Sequence, residues 1–178
     1  MLTQYDSLDR LSSIKRLAPD IFNNKKVLYI GASRLRFQFS EQLKKSCVID
    51  VVEAFKDNAN YLSSLGWLSN VFHCDILDFE PANKYEVILF WHCIEHLQQE
   101  KITPLLKKIE NWATESIVIG CPFGFYEQGP VYGNDYETHL THLYPEFFTD
   151  LGYTIECLGQ KDTIGSNITA VKHKRAAL

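Results

Sequence analysis

The sequence predicts an α/β fold, a doubly wound and mostly parallel sheet of seven strands that ends in an antiparallel pair. Short runs rich in valine and isoleucine alternate with segments of helical periodicity, which is typical of βαβ units. These runs are apolar almost throughout, as expected for strands that helices cover on both faces. The 178 residues, 46% of them hydrophobic, suffice for one domain with a sizeable core.

The chain begins with a polar, amphipathic lead-in, and we divide it into this lead-in (1–24) and a main domain (25–178). A loose helical stripe of apolar residues runs through the lead-in, and Pro19 ends it. The stripe consists of Leu8, Leu11, Ile14 and Leu17.

Five strand-type runs then alternate with helical segments. In chain order the predicted strands are Lys26–Gly31, Cys47–Glu53, Asn70–Cys74, Tyr85–Trp91 and Ser116–Cys121. Apolar residues three or four apart predict helices over 37–45, from Phe55 to a cap at Gly66, and from Ile102 to Trp112. Pro104 suits the last helix only in its first turn, because proline lacks the N–H that a helix interior needs.

The alternation stops after residue 121. Residues 122–143 are rich in glycine, proline and aromatic residues, and we expect them to form an ordered lid or pocket wall. Pro145 begins a short helix that ends at Gly152. Tyr153–Leu158 and Asn167–Lys172 then read as the antiparallel pair at the sheet edge.

Charge and cysteine content limit the partners and the location. The net charge is -4 and the pI about 5.8, so the chain lacks the basic surface that nucleic-acid binding needs, and we expect no nucleic acid partner. The longest apolar run, Val87–Trp91, is too short to span a membrane, and no secretory signal is visible. Five cysteines, an odd number without a C-x-x-C pair, predict reduced and mostly buried thiols in a cytoplasmic protein.

Small and acidic residues follow successive predicted strands. Gly31 allows a sharp turn after the first strand, and Glu53 lies 22 positions later, at a spacing typical of carboxylates that bind a ribose diol. Asp75 follows the third strand and could accept a hydrogen bond from an adenine amino group. Each alone could be a turn glycine or a capping carboxylate, but together at successive strand ends they favour a nucleotide site.

The sequence resembles the class I S-adenosylmethionine-dependent methyltransferases from about Val27 to the C-terminus. KVLYIGASRLRF corresponds to their glycine-rich first motif, and CVIDVVEAF, VFHCDILDF and YEVILFWHCIEHLQQ correspond to the second, third and fourth. The Pro-x-Gly-Phe turn at 122–125 and the later PEFFTDLGY resemble a subset of small bacterial members.

The resemblance implies a Rossmann-like fold and methyl transfer from S-adenosylmethionine to a small-molecule or glycan-like acceptor. We expect no membrane partner, and a homodimer is possible. The cofactor-binding residues that it implies are Gly31, Ala32, Ser33, Glu53, Ala54, Asp75, Ile76 and Trp91. The catalytic candidates are His92, His139 and His142, with Tyr126, Tyr132 and Tyr136 as pocket wall. No metal ligand is expected.

The first motif departs from the G-x-G-x-G pattern of the family. Ser33 and Leu35 stand where glycines are usual, and Tyr29 stands where an acidic residue is usual. A Cβ atom at Ser33 or Leu35 narrows the approach of the backbone to a ligand, although Leu35 could instead pack the next helix onto the sheet. The alternative function is therefore a non-catalytic, methyltransferase-like binding module that has lost the cofactor.

A second alternative comes from His92, Glu95 and His96, which match the H-x-x-E-H signature of zinc peptidases. That chemistry needs both histidines on one face of a helix, with the glutamate beside them. Because His92 directly follows an apolar strand, we expect it at a strand end instead. For His96 we predict a structural role, hydrogen bonded to the backbone near the sheet.

Overall fold

The computed structural model describes residues 10–21, 23–35 and 39–174, and it confirms the predicted seven-stranded α/β sheet. The strands are β1 (Lys26–Ile30), β2 (Val48–Glu53), β3 (Asn70–His73), β4 (Tyr85–Trp91), β5 (Ala113–Cys121), β6 (Thr154–Leu158) and β7 (Asn167–His173). Their order across the sheet is β3-β2-β1-β4-β5-β7-β6. β1 to β5 are parallel, whereas β7 is antiparallel to both of its neighbours, as the sequence predicts for the final pair.

Five helices accompany the strands in the described part of the chain. They are α1 (Arg10–Leu17), α2 (Phe39–Ser46), α3 (Lys56–Ser64), α4 (Gln99–Trp112) and α5 (Pro145–Asp150). Gly66 follows α3 with a φ of 70°, which confirms it as the cap. Parts of the predicted lead-in (1–9 and 22) and of the helix predicted over 37–45 (37–38) lie outside the described residues.

Alternating residues of each central strand divide the core between the two faces of the sheet. Leu28 packs in a cluster with residues of α4 and α5, whereas the adjacent Val27 packs in the cluster that includes residues of α1, α2 and α3. This alternation follows from the two-residue period of a strand. Helices therefore cover both faces, which explains why the central strands are apolar almost throughout.

Pro104 does not lie in the first turn of its helix, contrary to the prediction. α4 begins at Gln99, so Pro104 is its sixth residue and lies inside the helix. The residues that extend α4 towards its N-terminus are polar, and the apolar period that predicted the helix does not reveal them. Pro104 is exposed and cannot donate the hydrogen bond that Glu100 would otherwise accept.

The other strand boundaries agree with the predictions to within one residue, except that β5 starts at Ala113, directly after α4. α5 ends at Asp150, two residues before the predicted end at Gly152, which lies in the turn that follows the helix. The prediction of mostly buried thiols is wrong in part. All five cysteines are free, but only Cys121 is buried and the other four are partly exposed.

Within the described ranges, no helix combines the length and apolarity needed to cross a bilayer.

Candidate functional site

The strands β1 to β4 end at a cleft of about 660 Å³. Strand order reverses between β1 and β4, and in doubly wound sheets such a reversal opens a crevice at the carboxyl ends. The volume lies within the range of small-molecule sites, roughly 300–1,000 Å³. Of the residues that the sequence predicts for the cofactor, the cleft is lined by Gly31, Ala32, Ser33, Glu53, Ala54, Asp75 and Ile76.

Gly31 turns the chain sharply at the end of β1. Its φ is 65°, and its N–H donates a hydrogen bond of 2.9 Å to the carbonyl of Val52. A Cβ atom at this position would lie 2.4 Å from Sγ of Cys93, well inside van der Waals contact. Only glycine therefore lets the turn after β1 approach the residues that follow β4.

Ser33 and Leu35 keep the backbone conformation that glycine favours. Their φ angles are 49° and 52°, in the left-handed region that costs other residues roughly 1–2 kcal/mol each. Leu35 packs against the core on its face of the sheet, in agreement with the second of its two predicted roles. Ser33 lines the cleft. The altered motif thus retains a tight loop and moves one side chain away from the ligand space.

The carboxylate of Glu53 is held at the end of β2 by two backbone donors. The N–H of Ser33 donates to Oε2 at 2.9 Å and the N–H of Phe55 donates to Oε1 at 3.0 Å. Glu53 is only 6% exposed, and burial raises its pKa, although these two hydrogen bonds act in the opposite direction. Each oxygen retains a lone pair, so the oriented carboxylate can accept hydrogen bonds from a ligand.

The turn after β3 presents a second carboxylate. The N–H of Leu77 donates to Oδ1 of Asp75 at 2.9 Å, and this bond fixes the turn. The buried Ile76 supplies an apolar surface beside it. This pairing of an apolar surface with a hydrogen-bond acceptor suits a planar base that carries an amino group.

Trp91 does not line the cleft. Its side chain is fully buried, and a Cβ atom on Gly120 would lie 2.5 Å from the indole ring. The indole therefore packs against β5 in the core, and the structure gives no support to Trp91 as a cofactor-binding residue. Its place at the end of an apolar strand predicted the position of the backbone but not the direction of the side chain.

His92 is fixed at the end of β4 by two acceptors. Its φ is 48°, its Nδ1 lies 3.0 Å from Oε1 of Glu95, and its Nε2 lies 2.9 Å from Oδ1 of Asn167. The amide of Asn167 donates to Thr169, which turns its oxygen towards His92. His92 lies at a strand end and not on a helix, so the peptidase alternative is not favoured. The sequence carried no signal for Asn167.

Glu95 and His96 form a short 3-10 turn that follows β4. Glu95 is 2% exposed, and burial raises its pKa, but the hydrogen bond from His92 and the nearby imidazoles outweigh burial and leave the pKa lowered. His96 bonds through Nδ1 to the carbonyl of Thr138 at 3.1 Å, which confirms the predicted bond to the backbone. Both side chains line the cleft.

The segment 122–143 forms a wall of the cleft, as predicted. Residues of this segment that line it are Pro122, Tyr126, Gln128, Val131, Tyr132, Asn134, Tyr136, Glu137 and His139. The carbonyl of Glu95 accepts hydrogen bonds from the N–H groups of Leu140 and Thr141, at 2.9 and 3.0 Å. The wall is therefore tied directly to the turn after β4.

The two histidines of this wall have different surroundings. His139 faces the ring of His96 with 5.0 Å between centroids, and its Nδ1 lies 2.6 Å from the carbonyl of Tyr126. Burial lowers the pKa of His139, although the Glu95 carboxylate acts in the opposite direction. His142 lies outside the cleft, and its ring contacts the ring of Phe125 at a tilt, with 4.6 Å between centroids. The structure thus brings His139, but not His142, to the site.

No known family model matches this sequence, and a search of curated proteins finds no match. The fold, in contrast, matches many solved structures. One is a DhpI–SAH complex, with a TM-score of 0.67 and 11% identity over 91% of this chain and 82% of that one. The N-methyltransferase NodS from Bradyrhizobium japonicum WM9 gives a TM-score of 0.64 and 15% identity over 92% and 93%.

A third match is the plantazolicin methyltransferase BpumL, in complex with a triazolic desmethylPZN analog and SAH. Its TM-score is 0.65, with 14% identity over 93% of this chain and 84% of that one. This chain has the fold of the class I S-adenosylmethionine-dependent methyltransferases. The match covers most of each of these structures, so the fold that the sequence resemblance implied is present over nearly the whole described chain.

Proposed function

We propose that this protein is an S-adenosylmethionine-dependent methyltransferase that acts on a small-molecule or glycan-like acceptor. The observation that carries the proposal is the fixed carboxylate of Glu53 inside the cleft, held by the N–H of Ser33 from the altered first motif. A carboxylate oriented in this way suits the two hydroxyls of a ribose. The fold supports the same conclusion.

The residues around Glu53 fit the rest of such a cofactor. Asp75 and Ile76 offer an acceptor and an apolar surface to the adenine, and the turn from Gly31 to Ser33 offers backbone groups to the methionine end. The left-handed conformation of Ser33 and Leu35 keeps that turn tight in spite of their side chains. This geometry favours cofactor binding over the alternative of a module that has lost it.

When bound, the cofactor supplies an electrophilic methyl group on a positively charged sulfur. The work of the protein is to hold the acceptor in line with that group and to exclude water. The wall formed by 122–143 suits this task because its tyrosines border the cleft and its backbone is fixed to the turn after β4. Among the three candidate histidines, we propose His139 as the one that faces the acceptor.

The acceptor class rests on the size and lining of the cleft. The cleft of about 660 Å³ holds the proposed cofactor as well, so the part that remains beside Tyr126, Tyr132 and Tyr136 suits an acceptor of small-molecule size or a sugar ring. The structural neighbour BpumL is in complex with a triazolic desmethylPZN analog and SAH. The acidic net charge of this chain also disfavours a nucleic acid acceptor.

Calorimetry with S-adenosylhomocysteine tests the proposal. The wild-type protein is expected to bind it, and Glu53→Ala is expected to weaken binding by about 10- to 100-fold, because hydrogen bonds to a charged group contribute roughly 1.5–3 kcal/mol. Glu80→Ala is the matched control, since Glu80 is exposed and pairs with Lys108 outside the cleft. An absence of both heat and thermal stabilisation would instead support a binding module without the cofactor.

A further inference from the structure

Three neighbouring side chains that line the cleft form a cluster with the composition of a metal site. Glu95 and His96 come from the turn after β4, and His139 comes from the wall segment 122–143. One ligand atom from each residue lies within 4.8 Å of the others. Ligands bound about 2.1 Å from a tetrahedral ion are roughly 3.4 Å apart, so small side-chain rotations would close the cluster around an ion.

Both imidazoles are already oriented as metal ligands usually are. Nδ1 of His96 bonds to the carbonyl of Thr138, and Nδ1 of His139 bonds to the carbonyl of Tyr126. Because a carbonyl only accepts hydrogen bonds, each Nδ1 carries the proton in the neutral ring and each Nε2 keeps a lone pair. A backbone carbonyl that fixes the far nitrogen is the usual outer shell of a metal-bound histidine.

The carboxylate of Glu95 supplies an independent observation. It is 2% exposed, and Oε1 is engaged by His92, but Oε2 has no hydrogen-bond partner among the described residues. A buried carboxylate oxygen without a partner is rare in folded proteins, because it has lost its hydration with nothing in return. A cation beside Glu95 would satisfy this oxygen, and the contact from His92 would orient the carboxylate towards it.

We propose that Glu95, His96 and His139 bind a divalent transition-metal ion, with zinc as the best fit. Two imidazole nitrogens and one carboxylate oxygen form the ligand set of many zinc sites that keep an open position, whereas magnesium and calcium prefer oxygen ligands alone. The H-x-x-E-H pattern in the sequence therefore contains two of the three ligands. The third is His139, 43 residues after His96, and not His92.

The position of the cluster suggests what the open coordination position receives. Cys93, which packs against Gly31, lies two residues before Glu95, so the ion would lie beside the proposed methionine end of the cofactor site. An acceptor that carries a hydroxyl or carboxylate oxygen would bind the ion there and be oriented by it. This part of the inference rests on the proposed function, whereas the metal site itself does not.

Zinc binding to the chelator-treated, full-length protein tests the site without cofactor or acceptor. Elemental analysis and calorimetry are expected to give one zinc ion per chain, and His139→Ala and His96→Ala are each expected to weaken binding by at least about tenfold. His142→Ala is the matched control, since it removes an imidazole from the same segment but outside the cleft. Circular dichroism of each variant without metal shows whether it is folded.

The outcomes separate this inference from the proposed function. No zinc uptake, or uptake that His139→Ala and His96→Ala leave unchanged, overturns the metal site, even if S-adenosylhomocysteine binds. Zinc uptake lost in both variants and kept in His142→Ala supports the site, even if S-adenosylhomocysteine fails to bind. Should one variant fail to fold, the other still decides the question, because its ligand lies on a different segment of the chain.

Discussion

The N–H of Ser33 donates a hydrogen bond to the carboxylate of Glu53 across 2.9 Å. This contact joins the loop after β1 to the end of β2, so the altered first motif and the predicted ribose-binding residue form one unit. The donor is a backbone group, and the side chain at position 33 does not make the bond. A serine can therefore replace the usual glycine if the loop keeps its left-handed conformation, as it does here.

Gly31→Ala is expected to destabilise the protein by about 1–3 kcal/mol beyond the cost of its backbone conformation, because the new Cβ would overlap Cys93. Urea unfolding measures the loss. Gly66→Ala is the matched control, since Gly66 has a similar φ of 70° but no atom within 4 Å of the added Cβ. Equal losses in the two variants would show that the contact with Cys93 has no energetic weight.

Glu53→Gln is expected to change how stability depends on pH. Burial raises the pKa of Glu53 above its ordinary value of 4.5, so the folded state binds the proton more tightly than the unfolded state. The contribution of Glu53 to the stability of the folded state is therefore most favourable below pH 4.5. It declines as the pH rises through the pKa that Glu53 has in the folded state.

The free energy of unfolding, measured by urea from below pH 4.5 to neutral pH, tests this sign. The free energy of unfolding of the wild-type protein should fall relative to that of Glu53→Gln as the pH increases, because glutamine does not titrate. Other carboxylates titrate equally in both proteins and cancel in the difference. A difference that stays constant, or shifts in the opposite direction, would contradict the expectation.

We expect His92 and Glu95 to be strongly coupled in their contributions to the free energy of unfolding. His92→Ala leaves the buried carboxylate without this partner, which costs about 3 kcal/mol in comparable cases. In the Glu95→Gln background the same change should cost less, because no buried charge remains. A double-mutant cycle measured by urea unfolding in the presence of chelator should give a coupling of at least about 1 kcal/mol. Strictly additive effects would show that the pair is not an energetic unit.

Pro104→Ala is expected to raise the free energy of unfolding by about 1–3 kcal/mol. The substitution restores an N–H that can donate to Glu100 and removes the clash of the proline ring inside α4. Pro104 is exposed, so little packing is lost. Lys107→Ala, at another exposed position of α4, should change stability far less, and thermal unfolding of the two variants compares them. A less stable Pro104→Ala protein would mean that the proline ring supports contacts of its own.

The sequence by itself determined the order and type of nearly all elements in the described chain. Runs rich in valine and isoleucine mark most of the strands, and Gly31, Glu53 and Asp75 mark strand ends because parallel strands finish at one edge of a sheet. The sequence also identified 122–143 as a wall, since its aromatic content without periodicity is typical of an ordered functional loop.

Only the tertiary structure decided which side chains meet in the cleft. The sequence predicts that His92 lies at a strand end, but only the structure shows that its left-handed backbone places the side chain between Glu95 and Asn167. His139 comes to Glu95 as well, because backbone hydrogen bonds tie the wall to the turn after β4. Such contacts between distant segments depend on strand order and on loop path, and neither leaves a periodic signal in the sequence.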